Sequence, residues 1–327
     1  MSLNHIPSWV SVGQFLLKAI AVLTAIISIG SRLGRWHWAF DWFTLICDRT
    51  FGLALLLAIA FALLRWWPWL ALATVLLFLN GALLWGYLPF NSGGAPAVAA
   101  ETADLRLYIH NIYYQNPTLA AVVAEVKAYD PDVIFLMEYS EAIQAQIESQ
   151  FTDYPYRLIK PSRYTMGLAL FSRLPLEVSQ IHQFEGNWIP IFETVIALGK
   201  QSFTLIGGHP WPPAPRWAQL HREQVAAMAQ VAAGVEGPLI IAGDFNATPW
   251  SFALRDLMSK AKVRDARLGF GLAKTRHHFP YPSLMLDHGL VSAEWQVVNY
   301  QQGNARGSDH QPLILDLKQR PITQGKA

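Results

Sequence analysis

The sequence predicts a layered α/β or α+β sandwich preceded by an N-terminal region of transmembrane helices. Two observations lead there. Three long apolar stretches occupy the first 90 residues, and beyond residue 104 short apolar runs alternate irregularly with helical patterns, with no internal repeat. A third gives the second region its interest: a polar residue recurs at the C-terminal end of successive apolar runs.

The apolar stretches are Val12–Gly30, Leu45–Leu64 and Trp66–Leu88, each close to the ~20 residues that cross a bilayer core. The second must accommodate Asp48 and Arg49, which can pair or reach the interface. Trp36, Trp38, Trp42, Trp66, Trp67 and Trp69 lie near the proposed ends, as an interfacial aromatic belt requires. No small-residue cleavage site follows the first stretch, so it reads as an anchor rather than a removed signal peptide. Residues 1–90 are therefore assigned as a membrane anchor of about three helices. Residues 91–104, which open with Asn91-Ser-Gly-Gly-Ala-Pro, are assigned as a linker, and residues 105–320 as one polar domain.

The polar domain is nearly neutral. Five of the 25 Lys+Arg and two of the 23 Asp+Glu precede residue 100, leaving 20 against 21. No general basic field for long nucleic acid follows from that balance. Cys47 is the only cysteine, which excludes a disulfide within the monomer.

In order, Leu105–Asn111 alternates as a half-buried strand, and Asn116-Pro117 opens a helix through Tyr129. Val133–Glu138 is a buried strand ending in a carboxylate, and Ser140 caps a helix over Glu141–Gln150. Strands follow at Leu168–Phe171, Thr194–Leu198 and Phe203–Ile206, the last running into Gly207-Gly208-His209. A helix over Pro215–Ala233 leads to the strand Leu239–Ala242. Gly243, Asp244 and Asn246 then occupy a strand-to-helix turn, with Gly243 supplying backbone freedom and Thr248-Pro249 starting the next helix. The last strands are Leu284–Ser292 and Pro312–Leu317.

Asn111, Glu138, His209 and Asp244 thus each end an apolar strand, and polar groups at neighbouring strand ends converge on one crevice. Any one of them has a structural reading; an Asp or Asn in a turn often bonds its own backbone. Asp287 lies in Leu286-Asp-His, and Ser308-Asp309-His310 directly precedes the last strand.

The pieces His110-Asn111, Pro131–Glu138, Gly167–Pro175, Gly208-His209-Pro210, Gly243-Asp-Phe-Asn246, Leu286-Asp287-His288 and Ser308-Asp309-His310 resemble the endonuclease/exonuclease/phosphatase superfamily, in the family's order. The membrane-tethered N-terminus is similar to an anchored branch of it. The resemblance implies a four-layer sandwich, two mixed β-sheets face to face with helices outside. It also implies metal-assisted phosphoester hydrolysis with Mg²⁺, or Mn²⁺ in its place, held by Glu138, Asn111 and Asp309. Asp244 is the expected orienter and base for the attacking water, with Asn246 donating to the phosphoryl group. His310 paired to Asp287, and His209, are the expected donors to phosphate oxygens, whereas His288 is expected to face the other way as a structural residue.

Two further features bear on substrate. Arg255, Lys260, Lys262, Arg264, Arg267, Lys274 and Arg276 form a local basic cluster that reads either as an anion-binding flank or as a solvated surface. The stiff loop from Trp211 through Arg216 to Trp217 is expected at the edge of the site, with Trp211 and Arg216 as substrate-binding residues. The leading reading is a membrane-anchored phosphoesterase for a small or lipid-linked phosphate ester. The alternatives are a tethered endo- or exonuclease and a catalytically silent, membrane-bound binding module. Arg32, Arg35 and Arg49, counted with the loop between the first two spans, argue for a cytoplasmic first loop and hence a cytoplasmic domain, and the short Arg65 turn between the second and third spans argues the reverse. Similarity to tethered relatives favours a multi-pass protein of the cell (inner or plasma) membrane with an extracytoplasmic domain.

Overall fold

A computed structural model describes residues 8–89, 103–184, 187–278, 280 and 282–320. Residues 91–102 of the expected linker lie outside the described residues. The chain divides into two compact units, Met1–Gly86 and Tyr87–Ala327.

The first unit contains α1 (Ser8–Gly30), a short α2 (Trp38–Asp41), α3 (Cys47–Leu63) and α4 (Trp67–Leu84). Three segments, Val12–Gly30, Trp38–Leu63 and Trp67–Tyr87, are long and apolar enough to cross a membrane. The second begins earlier than the sequence pattern indicates, because α2 and a 3₁₀ turn lead directly into α3. Asp48 and Arg49 pair with each other at 3.2 Å. The unit is built inside out. Phe15, Leu56, Leu63 and Phe78 point outward, while buried Asn80 donates to Ser28 Oγ at 2.8 Å and accepts from Thr50 Oγ1 at 3.4 Å.

Among the described residues, the second unit has twelve strands in two six-stranded mixed sheets. The first contains β1 (Leu105–Asn111), β2 (Val133–Met137), β3 (Tyr156–Lys160), β4 (Leu168–Ser172), β11 (Trp295–Gln302) and β12 (Leu313–Gln319), in the order β11-β12-β1-β2-β4-β3. The second contains β5 (Leu176–Phe184), β6 (Asn187–Leu198), β7 (Gln201–Gly208), β8 (Leu239–Asp244), β9 (Arg264–Asp265) and β10 (Asp287–Val291), in the order β5-β6-β7-β8-β10-β9. Each sheet has one parallel pair at its centre, β1 with β2 and β7 with β8, flanked by antiparallel neighbours.

Period-two alternation explains the layering. Leu107, Ile109, Phe135 and Leu170 of the first sheet meet Phe192, Leu205 and Ile240 of the second in one core. The intervening residues Tyr108, Ile134, Leu136 and Phe171 pack outward with α5 (Leu119–Tyr129) and α6 (Glu141–Ile147). Ile206 and Ile241 do the same with α7 (Ala218–Ala233) and α8 (Phe252–Ala261). The result is the expected four-layer sandwich. Gly207 and Gly289 let the sheets approach: a Cβ there would meet Phe135 at 2.5 Å and Leu315 at 2.3 Å.

Two local expectations change. α8 starts with Ser251 as its cap, accepting from the Leu254 N–H at 3.3 Å, rather than with Thr248-Pro249. Gly243 does not serve by an unusual backbone angle. It lies in β8 with no room for a Cβ, which would fall 2.1 Å from the Gly208 carbonyl oxygen.

Candidate active site

The two parallel pairs decide where the site is. The C-terminal ends of β1, β2, β7 and β8 carry Asn111, Glu138, His209 and Asp244. Antiparallel neighbours enter at the same end, so Asp287 at the start of β10 pairs in register with Asp244, and His310 comes just before β12, the partner of β1. Six positions spread over 200 residues of sequence therefore meet at one end of the sandwich. Five of them line a cleft of about 380 Å³, and Asp287 stands behind it, bonded to His310.

Asp244 is its centre. Asn111 Nδ2 donates to Asp244 Oδ2 at 3.0 Å, and the same oxygen lies 3.4 Å from His209 Nε2 and 3.7 Å from His310 Nε2. Its other oxygen, Oδ1, accepts the Asn246 N–H at 2.9 Å. One oxygen thus serves the turn and the other faces the polar groups of the cleft. His310 Nδ1 is held by Asp287 Oδ2 at 2.8 Å, leaving Nε2 toward Asp244. The Ser308 hydroxyl donates to the Asn111 carbonyl at 2.7 Å and accepts the His310 N–H at 3.0 Å, binding the two segments together.

Electrostatics follow from this packing. Burial pulls the His310 imidazole down, but the Asp287 and Asp244 carboxylates outweigh it and raise the pKa to about 10. Burial likewise opposes protonation of His209, and its contact with Asp244 reverses the balance upward. Asp244 is pushed up by burial and pulled further down by His310 and His209, so it stays ionised. His110, beneath the site, bonds the His310 carbonyl at 3.1 Å, and burial lowers its pKa to about 3.

Side-chain oxygens suited to a hard cation occur on two sides of the cleft. Asp244, Asp287 and His310 bring potential ligand atoms within 4.8 Å of one another. In that cluster Asp287 Oδ2 is taken by His310 Nδ1, while Asp287 Oδ1 is buried with no hydrogen-bond partner. Glu138 fits better: one oxygen accepts from Asn111 Nδ2 and the other from the Tyr114 N–H, both at 3.0 Å, and each keeps a free lone pair beside the cleft. Asp309 lines the same cleft. The residues expected to hold Mg²⁺ therefore fit the ion chemically.

The remaining expected residues divide. Asn246 lines the cleft, at a positive φ of 50°, with Nδ2 donating to the Pro210 carbonyl at 3.0 Å. Trp211 also lines it. Arg216 does not: its guanidinium lies on Trp217, 4.4 Å from the ring centre, and Trp217 stacks on Trp211 at 4.7 Å. Arg216 stiffens the rim from two layers away. His288 is buried, bonds the Ala247 carbonyl at 2.9 Å and faces Asp265, in keeping with a structural role.

Sequence reasoning missed Tyr113, Tyr114, Thr165 and Met166 in the cleft wall. The tyrosines directly follow Asn111, and adjacency to a strand-end polar residue was the available signal. Thr165 and Met166 arrive through a close approach, in which a Cβ on Gly167 would lie 2.0 Å from the Tyr139 carbonyl oxygen. That contact leaves no pattern in the sequence.

Two packed mixed sheets with this cleft at one end have the endonuclease/exonuclease/phosphatase fold. The sequence model of the Endonuclease/Exonuclease/phosphatase family matches residues 109–310, more than half of the chain, and the chain belongs to that family. A search of curated proteins finds no match. Among solved structures, D. rerio TDP2 complexed with single strand DNA product is similar at 16% identity and a TM-score of 0.57, covering 65% of this chain and 98% of that one. The human Nocturnin catalytic domain with bound sulfate is similar at 19% identity and 0.54, covering 66% and 94%. An endonuclease/exonuclease/phosphatase from Bacteroides vulgatus is similar at 18% identity and 0.55, covering 66% and 99%.

Proposed function

We propose that this protein is a membrane-anchored, Mg²⁺-dependent phosphoesterase that hydrolyses a small or lipid-linked phosphate ester. The observation that carries the reading is Asp244, ionised at the centre of the cleft between Asn111, His209 and the His310–Asp287 pair. Glu138, Asn111 and Asp309 would hold the ion, which neutralises phosphoryl charge when bound. Asp244 Oδ2 accepts the proton of the attacking water as its oxygen bonds to phosphorus. His310, kept protonated by Asp287, donates from Nε2 to a phosphoryl oxygen. Asn246 donates to the same group with the amide hydrogen that Pro210 does not use. As the phosphorus–oxygen ester bond breaks, His209 gives its proton to the leaving oxygen.

Cleft size and charge argue for the substrate class. About 380 Å³ is room for a headgroup or one nucleotide. A domain with 20 basic and 21 acidic residues beyond residue 100 offers no track for a long polyanion. Three apolar helices would concentrate the enzyme on lipid-borne substrates, and the similarity to tethered relatives supports an extracytoplasmic hydrolase domain. A second reading, a tethered nuclease, draws on the likeness to a TDP2 that binds a single-strand DNA product and on Trp211 as a stacking surface at the rim.

Detergent-purified protein and its Asp244→Ala variant, assayed with Mg²⁺ on lipid-linked phosphates and on single- and double-stranded DNA, decide between them. Hydrolysis of the lipid set, reduced at least about 10³-fold in the variant, is the expected outcome. DNA cleavage without lipid-phosphate hydrolysis overturns the lipid reading. Wild-type inactivity on both sets, with no binding of Mg²⁺ or Mn²⁺, would return the protein to the class of silent binding modules.

A further inference from the structure

The basic cluster of residues 255–276 does not survive folding as a patch. Arg267 is fully buried, bound to Asp265, the Tyr300 hydroxyl and the Asp287 carbonyl. Lys260 pairs with Asp256 on its own helix, and Arg264 donates to the Trp295 carbonyl. Arg276 is different: among the described residues it is the one lysine or arginine lining the active-site cleft, where the other charged groups are Glu138, Asp244, Asp309 and the two histidines.

Its position is fixed from both sides. The Arg276 backbone exchanges two hydrogen bonds of 3.0 Å with Leu284 and bridges antiparallel to His310. The neighbouring His277 N–H donates to the Asp309 carbonyl at 2.8 Å. In the side chain, Nε donates to Asp309 Oδ2 at 3.2 Å, and neither Nη group has a partner among the described residues. A guanidinium steered by Nε, with its Nη pair open, is preset for a tetrahedral anion.

The order of groups along the cleft shows which anion. His310 Nε2 lies 3.7 Å from Asp244 Oδ2 and 4.0 Å from Asp309 Oδ1, and Arg276 holds the far oxygen of Asp309. The phosphoryl group under attack lies against Asp244 and His310, so Arg276 reaches the next anionic group outward. We propose that Arg276 forms a subsite for a second phosphate, and that the enzyme selects organic diphosphates over the matching monophosphates. The inference rests on the hydrolase reading of the same cleft.

Two matched pairs test it with the full-length chain: farnesyl diphosphate against farnesyl monophosphate, and adenosine diphosphate against adenosine monophosphate. The Arg276→Gln variant removes the cation and keeps a donor for Asp309. In at least one pair, wild-type kcat/KM is expected to favour the diphosphate about tenfold or more, and Arg276→Gln to lose most of that ratio. The pair that shows the preference tells a lipid-borne from a soluble substrate. Equal wild-type rates within each pair, or equal losses on both members, overturn the subsite.

Isothermal titration with methylenediphosphonate and methylphosphonate at fixed free Mg²⁺ reads the subsite without turnover. Tighter diphosphonate binding that Arg276→Gln abolishes supports it even if no ester is hydrolysed, in which case the hydrolase reading alone fails. Equal affinities, or a preference that persists in the variant, reject the subsite whatever the activity.

Discussion

The two aspartates around His310 use their oxygens differently. Asp244 uses Oδ1 for the turn and presents Oδ2 to Asn111, His209 and His310. Asp287 gives Oδ2 to His310 Nδ1 and so sets which nitrogen faces the cleft. A prediction follows for the alkaline side of the pH profile. With His310 raised to about 10, its donating, protonated form persists through neutral pH and is lost only as pH rises through that value. Asp287→Asn removes the largest upward influence, so the alkaline limb of kcat should move toward neutral pH. The rate at pH 7 should fall by roughly 10–10³-fold, within the range known for triad-type aspartates. A pH–rate profile measures both, and an alkaline limb unchanged in the variant would refute the pairing role. The positive φ of Tyr113, Glu138 and Asn246 belongs to the same scale: these residues sit at the mouths of strands in a backbone region that non-glycine residues seldom occupy.

At the scale of elements, β9 and β10 carry the support for the site. Asp265 of β9 accepts from Arg267 and faces His288 of β10, and Arg267 in turn donates to the Asp287 carbonyl at 2.8 Å. Burial pushes the Asp265 carboxyl up, but Arg267 and His288 outweigh it and hold it below the ordinary 3.8. Its stabilising contribution is therefore complete above pH 3.8 and is lost as pH falls further, through the lowered folded value. Asp265→Asn strands a buried guanidinium and should cost about 3–5 kcal/mol at pH 7. The gap to wild type should narrow below pH 3.8, as chemical denaturation across pH would measure. A pH-independent gap would show that the ionised form contributes nothing.

The strands themselves show what could be read in advance. Those recognised from sequence are the interior strands of both sheets, whose apolar residues are buried. Those missed, β3, β5, β9 and β11, are the four sheet edges. An edge strand leaves one side to solvent, as exposed Tyr156, Val178 and Ile181 illustrate, so neither alternation nor an apolar run marks it.

For the whole molecule, the division into an inside-out helical unit and a nearly neutral sandwich is what the proposed membrane-anchored phosphoesterase rests on. Exposed Phe15, Leu56 and Phe78 beside an interior Asn80–Ser28 bond suit a lipid surround. With three spans, reporter fusions at Ala327 should be silent in the cytoplasm and active outside it; cytoplasmic fluorescence would reverse the assigned orientation.

By itself the sequence determined the two-part organisation, the interior strands and the strand-end residues from Asn111 to His310, because burial and turn chemistry are local and leave periodic traces. The tertiary structure alone decided which of them touch. It gave the Asp287–His310 pair, expected only from the family resemblance, its contact, removed Arg216 from the cleft and Arg267 from the surface, and left Arg276 as the one lysine or arginine among the described residues lining the cleft. Those outcomes depend on strand order and register between segments far apart in the chain, and no local pattern encodes a contact that only sheet pairing creates.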